Sequence, residues 1–307
     1  MKRDLLTITD LTTGEIQGLV ARARDLKKLK QEGHGHTPLK QKTLALIFDK
    51  PSTRTRVSFE AGLAQLGGTS IYLERGQTQL SRNEPLADTA RVLSRYVDGV
   101  VMRTFAQDTL EELARHATIP VINGLTDRHH PCQVLSDLMT IEERLGTISG
   151  LKVAWVGDGN NMANSWIGAA LRLDFSLYLA CPEGYGPDRF LLQQAEEAGR
   201  QVFLGTDPVW AVKNAQVINT DVWASMGQEE EAEARREVFR PFQVNNKLLR
   251  EAGPGAIVLH CLPAHRGEEI TSPVLDGPQS AAWDQAENRL HFQKALLEWL
   301  IGGGPGS

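Results

Sequence analysis

The sequence predicts an α/β protein of two domains, each a parallel sheet flanked by helices. Three observations point there. The chain has 307 residues, about twice the usual domain size of roughly 150. Short aliphatic or β-branched runs alternate with longer stretches of helical period, the rhythm of βαβ units. That rhythm runs through the chain twice, with a break near Gly150.

The first pass predicts strands at Thr43–Asp49, Ser70–Leu73, Gly99–Arg103 and Pro120–Ile122, separated by helices at Arg54–Leu66, Pro85–Tyr96 and Thr109–His116. A longer helix, Pro131–Leu145, has Val134, Leu135, Leu138, Met139, Ile141 and Leu145 on its apolar stripe and ends near Gly146. It leads to the expected boundary, which gives domains 1–149 and 150–284. The second pass predicts strands at Lys152–Val156, Leu177–Ala180, Gln201–Leu204, Val217–Thr220 and Ala256–His260. Its helices fall at Met162–Leu173, Arg189–Ala198, Pro208–Asn214 and Gln228–Phe239. A final amphipathic helix covers 285–301, and the Gly/Pro/Ser tail 302–307 is expected to fray.

Composition narrows the function classes. With 41% hydrophobic and 23% charged residues the chain is neither disordered nor collagen-like. A net charge of −5 gives no global attraction to nucleic acid or an anionic membrane, so neither is an expected partner and any anion site must be local. Cys132, Cys181 and Cys261 are odd in number, far apart and without metal-ligand spacing, which suits thiols in a reducing cytoplasm. The N-terminus turns polar before any apolar core of a leader develops, and no run reaches the roughly 18 apolar residues of a membrane span.

Ligands of open parallel sheets collect at the carboxyl ends of strands, so residues just after each strand bear the functional reading. Lys50-Pro51-Ser52-Thr53-Arg54-Thr55-Arg56 follows the first strand and opens a helix. The amides of the helix start, the hydroxyls of Ser52, Thr53 and Thr55 and the Arg54 fork make an anion cradle suited to phosphate. The plainer alternative is an N-cap with surface arginines. Arg103 ends the third strand on the same edge, where it serves either that cradle or a salt bridge. His130 precedes Pro131 at a helix start, a place that disfavours imidazolium, so a neutral imidazole could donate to a carbonyl oxygen; a capping or core histidine fits equally. Cys132 reads as an inert thiol. Gly157-Asp158-Gly159 invites a dinucleotide reading, but Met162 stands where the third glycine of that fingerprint belongs. Asn160, Asn161, Asn164 and Ser165 offer amides and a hydroxyl for polar recognition instead. Asp221 could pair with an amine and Cys261 could lie beside reacting groups, although a turn aspartate and a buried small residue explain them as well.

Taken together, these motifs resemble one family. Phe48-Asp49-Lys50-Pro51-Ser52-Thr53-Arg54-Thr55-Arg56 looks like the carbamoyl phosphate signature of the aspartate and ornithine carbamoyltransferases, and His130-Pro131-Cys132-Gln133 like their second shared motif. Asp221 with Ser225-Met226-Gly227, and His260-Cys261-Leu262-Pro263, are similar to the ornithine enzymes in particular. Glu287-Asn288-Arg289-Leu290-His291 resembles a late family motif. Asp49 stands where the family has glutamate, Ser81-Arg82-Asn83 replaces a more Gly-rich loop, and Asp174-Phe175-Ser176 is atypical.

The resemblance implies a carbamoyl phosphate domain, an ornithine domain, and a last helix that packs back on the first. It implies transfer of the carbamoyl group to the neutral δ-amino group of L-ornithine, giving L-citrulline and phosphate, with no metal, cofactor or covalent enzyme intermediate. Ser52, Thr53, Arg54, Thr55, Gln79, Arg103, His130, Gln133, Cys261, Leu262 and Arg289 would hold carbamoyl phosphate. Asn164, Asp221, Ser225 and Met226 would hold ornithine, and Arg54, Arg103, His130, Asp221 and Cys261 would be catalytic. Gln79 matches a loop that reaches a neighbouring subunit's site, so a homotrimer with sites at its interfaces is implied. Competing expectations are another acceptor such as putrescine or N-acetylornithine, a nicotinamide-dependent oxidoreductase, and a non-catalytic amino-acid-binding protein.

Overall fold

The computed structural model describes residues 2–74, 84–224 and 232–303. The chain forms two compact units, Met1–Met139 with Glu287–Ser307, and Thr140–Ala286.

In the first unit, four parallel strands run β1 (Thr43–Phe48), β2 (Thr69–Glu74), β3 (Gly99–Arg103) and β4 (Val121–Leu125), in spatial order β2-β1-β3-β4. The helices are α1 (Thr13–Gln31), α2 (Thr53–Gln65), α3 (Leu86–Leu93), α4 (Gln107–His116) and the start of α5 (Pro131–Leu145). β1 and β3 are almost wholly buried, as the near-continuous aliphatic runs of parallel strands require. Ala45, Ile47, Val100 and Met102 of these strands pack with Leu110 and Leu113 of α4.

In the second unit, five parallel strands are β5 (Lys152–Val156), β6 (Ser176–Ala180), β7 (Val202–Gly205), β8 (Val217–Thr220) and β9 (Ile257–His260), ordered β7-β6-β5-β8-β9. Between them lie α6 (Asn161–Arg172), α7 (Arg189–Glu197), α8 (Pro208–Val212), α9 (Ala232–Phe239) and the short α10 (Asn246–Leu249); α11 (Ser272–Leu275) follows β9 and α12 (Ala282–Ile301) closes the chain. Ala154, Val156, Ile218 and Val258 pack with Val212, Phe242 and Leu275, and Trp166 of α6 meets Phe175 edge-on at 5.8 Å.

Both predicted parallel sheets are present, and strand ends differ from expectation by a few residues; β4, for instance, continues to Leu125. The part of α12 in the first unit lies on that unit's helices. Arg22 of α1 donates to Glu298 at 2.9 and 2.8 Å, Lys27 to Asn288 at 2.8 Å, and Lys294 donates to Gln65 of α2 at 3.2 Å. The compact units divide within α5 and α12; residues 1–149, 150–284 and 285–301 remain our proposed domain division. Sequence reading omitted α1. Its signal was present, because Ile16, Leu19, Val20, Ala23 and Leu26 make one buried stripe and Thr12 with Glu15 forms a capping box.

Candidate functional site

Strand order reverses at β1/β3 in the first unit and at β5/β8 in the second, the places where open sheets leave a crevice for ligands. In the first unit Phe48 pairs with Arg103, so the segments that follow β1 and end β3 start side by side. Ser52 caps α2, its Oγ accepting from the Thr55 amide at 3.3 Å. Thr53 is exposed and Arg54 half-buried at the start of that helix. The other arginine of the motif, Arg56, is engaged on the helix surface, bonded to Glu60 at 3.0 Å and stacked 3.7 Å over the Tyr72 ring. Lys50 is buried, pairs with Asp127, and lies 4.2 Å over the Phe105 ring. Asp49 keeps a carboxylate function, since its Oδ2 accepts from Thr104 Oγ1 at 2.6 Å and its amide donates to the Arg103 carbonyl at 2.8 Å.

Arg289 ties three elements together. Its Nη2 donates to Thr55 Oγ1 of α2 at 2.8 Å and its Nη1 to Gln133 Oε1 of α5 at 2.9 Å, while Gln133 Nε2 donates to Asp137 at 2.8 Å. The His130 carbonyl starts α5 by accepting from the Gln133 and Val134 amides at 3.2 and 3.4 Å. Burial, reinforced by the positive charges of Arg289 and Arg103, holds the His130 imidazole well below its ordinary range. Burial, and not the helix start considered from the sequence, is the first cause of that shift. Cys132 is buried, donates to the Asn123 carbonyl at 3.4 Å, and has its thiol pushed up to about 12 by burial.

In the second unit Thr220 pairs with His260, which aligns the ends of β8 and β9. Three donors fix the Asp221 carboxylate: Cys261 Sγ at 3.0 Å and the Val222 amide at 2.8 Å to Oδ1, and Asn160 Nδ2 at 2.9 Å to Oδ2. The same Asn160 caps α6, its oxygen accepting from the Met162 and Ala163 amides. Asn164 is buried and accepts from the Asp188 amide at 2.9 Å. Leu262, half-buried with φ 58°, donates its amide to His260 Nδ1 at 2.9 Å. His260 Nε2 lies 2.9 Å from buried Glu269, so the ring proton belongs on Nε2.

Within the first unit the structure brings together Thr55, Gln133 and Arg289, with His130 in the field of Arg103 and Arg289. Within the second it brings together Asp221 and Cys261. Gln79, Ser225 and Met226 lie outside the described residues. Sequence reading gave Asn160 only a general polar role and missed its bond to Asp221; its place one turn after β5 was the available signal. Among the described residues, Asp221, His260 and Cys261, and separately His265, Glu268 and Glu269, could converge on a cation. In the first group, both His260 nitrogens and the Cys261 thiol already hold protein partners. In the second, Glu269 Oε1 accepts from His265 N and engages His260.

The turn after β5 also answers the dinucleotide question. Gly157 has φ 135°, and a Cβ at Gly159 would overlap the Gly186 carbonyl carbon and the Pro187 nitrogen. The second glycine is therefore required by close approach of the protein's own backbone, in contrast to the pyrophosphate approach of a dinucleotide fingerprint.

Comparison with known proteins agrees with both halves. Residues 3–143 match the family described as aspartate/ornithine carbamoyltransferase, carbamoyl-P binding domain, and residues 149–300 match its Asp/Orn binding domain. A protein of Syntrophus aciditrophicus named ornithine carbamoyltransferase is 60% identical over 98% of this chain and 100% of its own length. One of Pseudomonas aeruginosa named ornithine carbamoyltransferase, anabolic, is 55% identical over 97% of each chain. The solved structure of ornithine carbamoyltransferase from Pyrococcus furiosus superposes with a TM-score of 0.94 at 54% identity, covering 99% of this chain and 98% of that one. With the strand-end motifs, both sheets and matches along nearly the whole length in agreement, the chain belongs to the aspartate/ornithine carbamoyltransferase family.

Proposed function

We propose that the chain transfers the carbamoyl group of carbamoyl phosphate to the δ-amino group of L-ornithine, giving L-citrulline and phosphate, in the direction of arginine synthesis. The observation that carries this reading is the Asp221 carboxylate at the β5/β8 switch, held by Asn160, the Val222 amide and the Cys261 thiol. Such a fixed carboxylate suits an amine acceptor. The relatives named for the ornithine reaction support the same acceptor.

In this proposal Ser52, Thr53, Arg54, Thr55 and Arg289 bind the phosphate, and Arg103, His130 and Gln133 bind the carbamoyl group and bridging oxygen, with Cys261, Leu262 and Gln79 completing that set. Asn164, Asp221, Ser225 and Met226 bind ornithine. The neutral amine attacks the carbonyl carbon, the carbonyl oxygen takes up negative charge, and collapse breaks the bond to the bridging oxygen, the nitrogen passing its proton to the departing phosphate. Guanidinium groups and a neutral imidazole donor stabilise that oxyanion. Orienting the two reactants contributes up to about 7–11 kcal/mol of barrier lowering.

A homotrimer with sites at subunit interfaces is part of the proposal, supported by exposed Val57, Ile71 and Val92 on α2, the sheet edge β2 and α3 of the first unit. A cytoplasmic location is also proposed; among the described residues no helix is long and apolar enough to cross a membrane. Steady-state kinetics over ornithine, putrescine and N-acetylornithine tests the acceptor, with particle mass measured on the same sample. Turnover of putrescine without citrulline from ornithine would sink the reading.

A further inference from the structure

The turn Gly157-Asp158-Gly159 left one residue without a role, the carboxylate of Asp158. It is buried at the carboxyl end of β5 and forms an ion pair with Arg235 of α9 at 2.6 Å. Arg235 is itself buried, 4% exposed, and its guanidinium lies 4.8 Å over the Tyr185 ring and 5.0 Å over that of Phe239. Its Nε donates to the Trp223 carbonyl at 2.6 Å. Trp223 is two residues beyond Asp221. The Asp158 turn thus reaches the Asp221 segment by two routes, through Arg235 to the Trp223 carbonyl and through Asn160 to the Asp221 carboxylate.

The turn is also tied down at its own end. The Asp158 carbonyl accepts from Trp155 Nε1 at 2.9 Å, and the Gly159 amide donates to the Tyr185 carbonyl at 2.8 Å. A buried ion pair is a weak source of net stability, because desolvation offsets its attraction, but it fixes geometry where groups must be held in one place. Breaking it by removing one partner leaves the other charge buried, which moves or loosens whatever that partner holds.

We propose that Asp158 and Arg235 are positioning residues for the acceptor: their buried pair holds the Trp223 carbonyl and with it the segment bearing Asp221. The proposal rests on Asp221 receiving ornithine. It predicts a defect on the acceptor side, since the Arg235 partners described above, Asp158, Trp223, Tyr185 and Phe239, all belong to the second unit.

The test compares wild type with Asp158→Asn, Asp158→Glu, Arg235→Lys and Arg235→Met by steady-state kinetics in both substrates, with thermal melting of each. Asp158→Asn and Arg235→Met should raise the ornithine KM about tenfold or more, the size that small misplacements produce, while the carbamoyl phosphate KM stays within about twofold. Asp158→Glu should recover much of the loss, and Arg235→Lys should fall between, since lysine lacks the fork that reaches two partners at once. An unchanged ornithine KM in folded Asp158→Asn overturns the proposal. So does an equal rise of both KM values, or failure of all four variants to fold, because the pair would then be a general stability element. If wild type makes no citrulline from ornithine, the functional reading itself falls and the proposal with it.

Discussion

Replacing Arg289 by lysine separates guanidinium geometry from charge. The native side chain is buried, with Nη1 on Gln133 Oε1 at 2.9 Å and Nη2 on Thr55 Oγ1 at 2.8 Å. Lysine keeps the charge but carries its donors on one nitrogen without the planar fork, so it is expected to keep one of these bonds and lose the other. A hydrogen bond from a charged donor contributes about 1.5–3 kcal/mol, and loss of one should lower stability by about that amount. Each kcal/mol corresponds to about 2–4 °C of Tm in a chain this large, so the expected drop is about 3–12 °C. Where the lost bond also positions the phosphate contact, a cost of about 1.4 kcal/mol per factor of ten gives a roughly ten- to hundredfold fall in kcat/KM for carbamoyl phosphate. Initial rates of citrulline formation against carbamoyl phosphate, at saturating ornithine, read this directly. If Arg289→Lys keeps kcat/KM within about twofold and Tm within about 1 °C, the fork linking α2, α5 and α12 neither stabilises the fold nor positions the phosphate contact.

Four further outcomes are expected. His130 is held neutral in the folded chain, so below pH about 6.5 the unfolded chain takes a proton that the folded one refuses. Stability tied to it is present above that pH and lost below it, by up to about 1.4 kcal/mol per pH unit. Urea unfolding over this range should show the loss, and His130→Gln should remove it. Asp158 works in the opposite sense, because burial pushes its carboxyl up to about 6 and the folded chain takes that proton first as pH falls; Asp158→Asn should therefore steepen the acid loss. Among the thiols, half-buried Cys261 should alkylate ahead of buried Cys132 and Cys181, whose thiols burial pushes up. Mass mapping should show inhibition tracking Cys261, with carbamoyl phosphate protecting. Finally, Gly159→Ala forces a Cβ onto the backbone of Gly186 and Pro187 and should cost about 3 kcal/mol or more in a denaturant titration, while Gly146→Ala, which meets no neighbour but has φ 84°, should cost only the backbone strain, about 1 kcal/mol.

Much of the fold was legible because parallel strands are buried on both faces, which leaves short aliphatic runs such as Leu44 to Phe48 and Val153 to Val156 unmistakable. The proposed anion cradle could be read for a local reason, since Ser52, Thr53, Arg54 and Thr55 are contiguous at one helix start. Arg289 was not legible from local pattern. It meets Thr55 from 234 positions away in the sequence, and only resemblance to a late motif singled it out. Arg235 was missed altogether: within Ala232–Phe239 it reads as one of two adjacent arginines on a charged helix. Its neighbour Arg236 does bond outward to Glu268 at 2.9 Å, whereas Arg235 is buried. Which of two identical neighbours turns inward is decided by the Asp158 carboxylate and the Trp223 carbonyl, both far away in sequence, so no local pattern records it.

The chemistry of the first unit's cations fixes how carbamoyl phosphate binding should respond to pH. Arg103 and Arg289 raise the cost of a further positive charge beside them, which helps keep His130 neutral. In the proposed site the histidine therefore serves as a polar partner, and charge compensation falls to guanidinium groups, which stay protonated at any working pH. A site that relied on imidazolium would lose affinity for the dianion as pH rose through the neutral range. With the arginines supplying the charge, affinity should instead change mainly on the acid side, where the phosphate group takes up its second proton, and stay level from about pH 7 to 9. Calorimetric titration of wild type with carbamoyl phosphate tests this. A loss of affinity across pH 7 to 8 that His130→Gln abolishes would mean the imidazole is charged in the complex, and the assignment of charge to the arginines would be wrong.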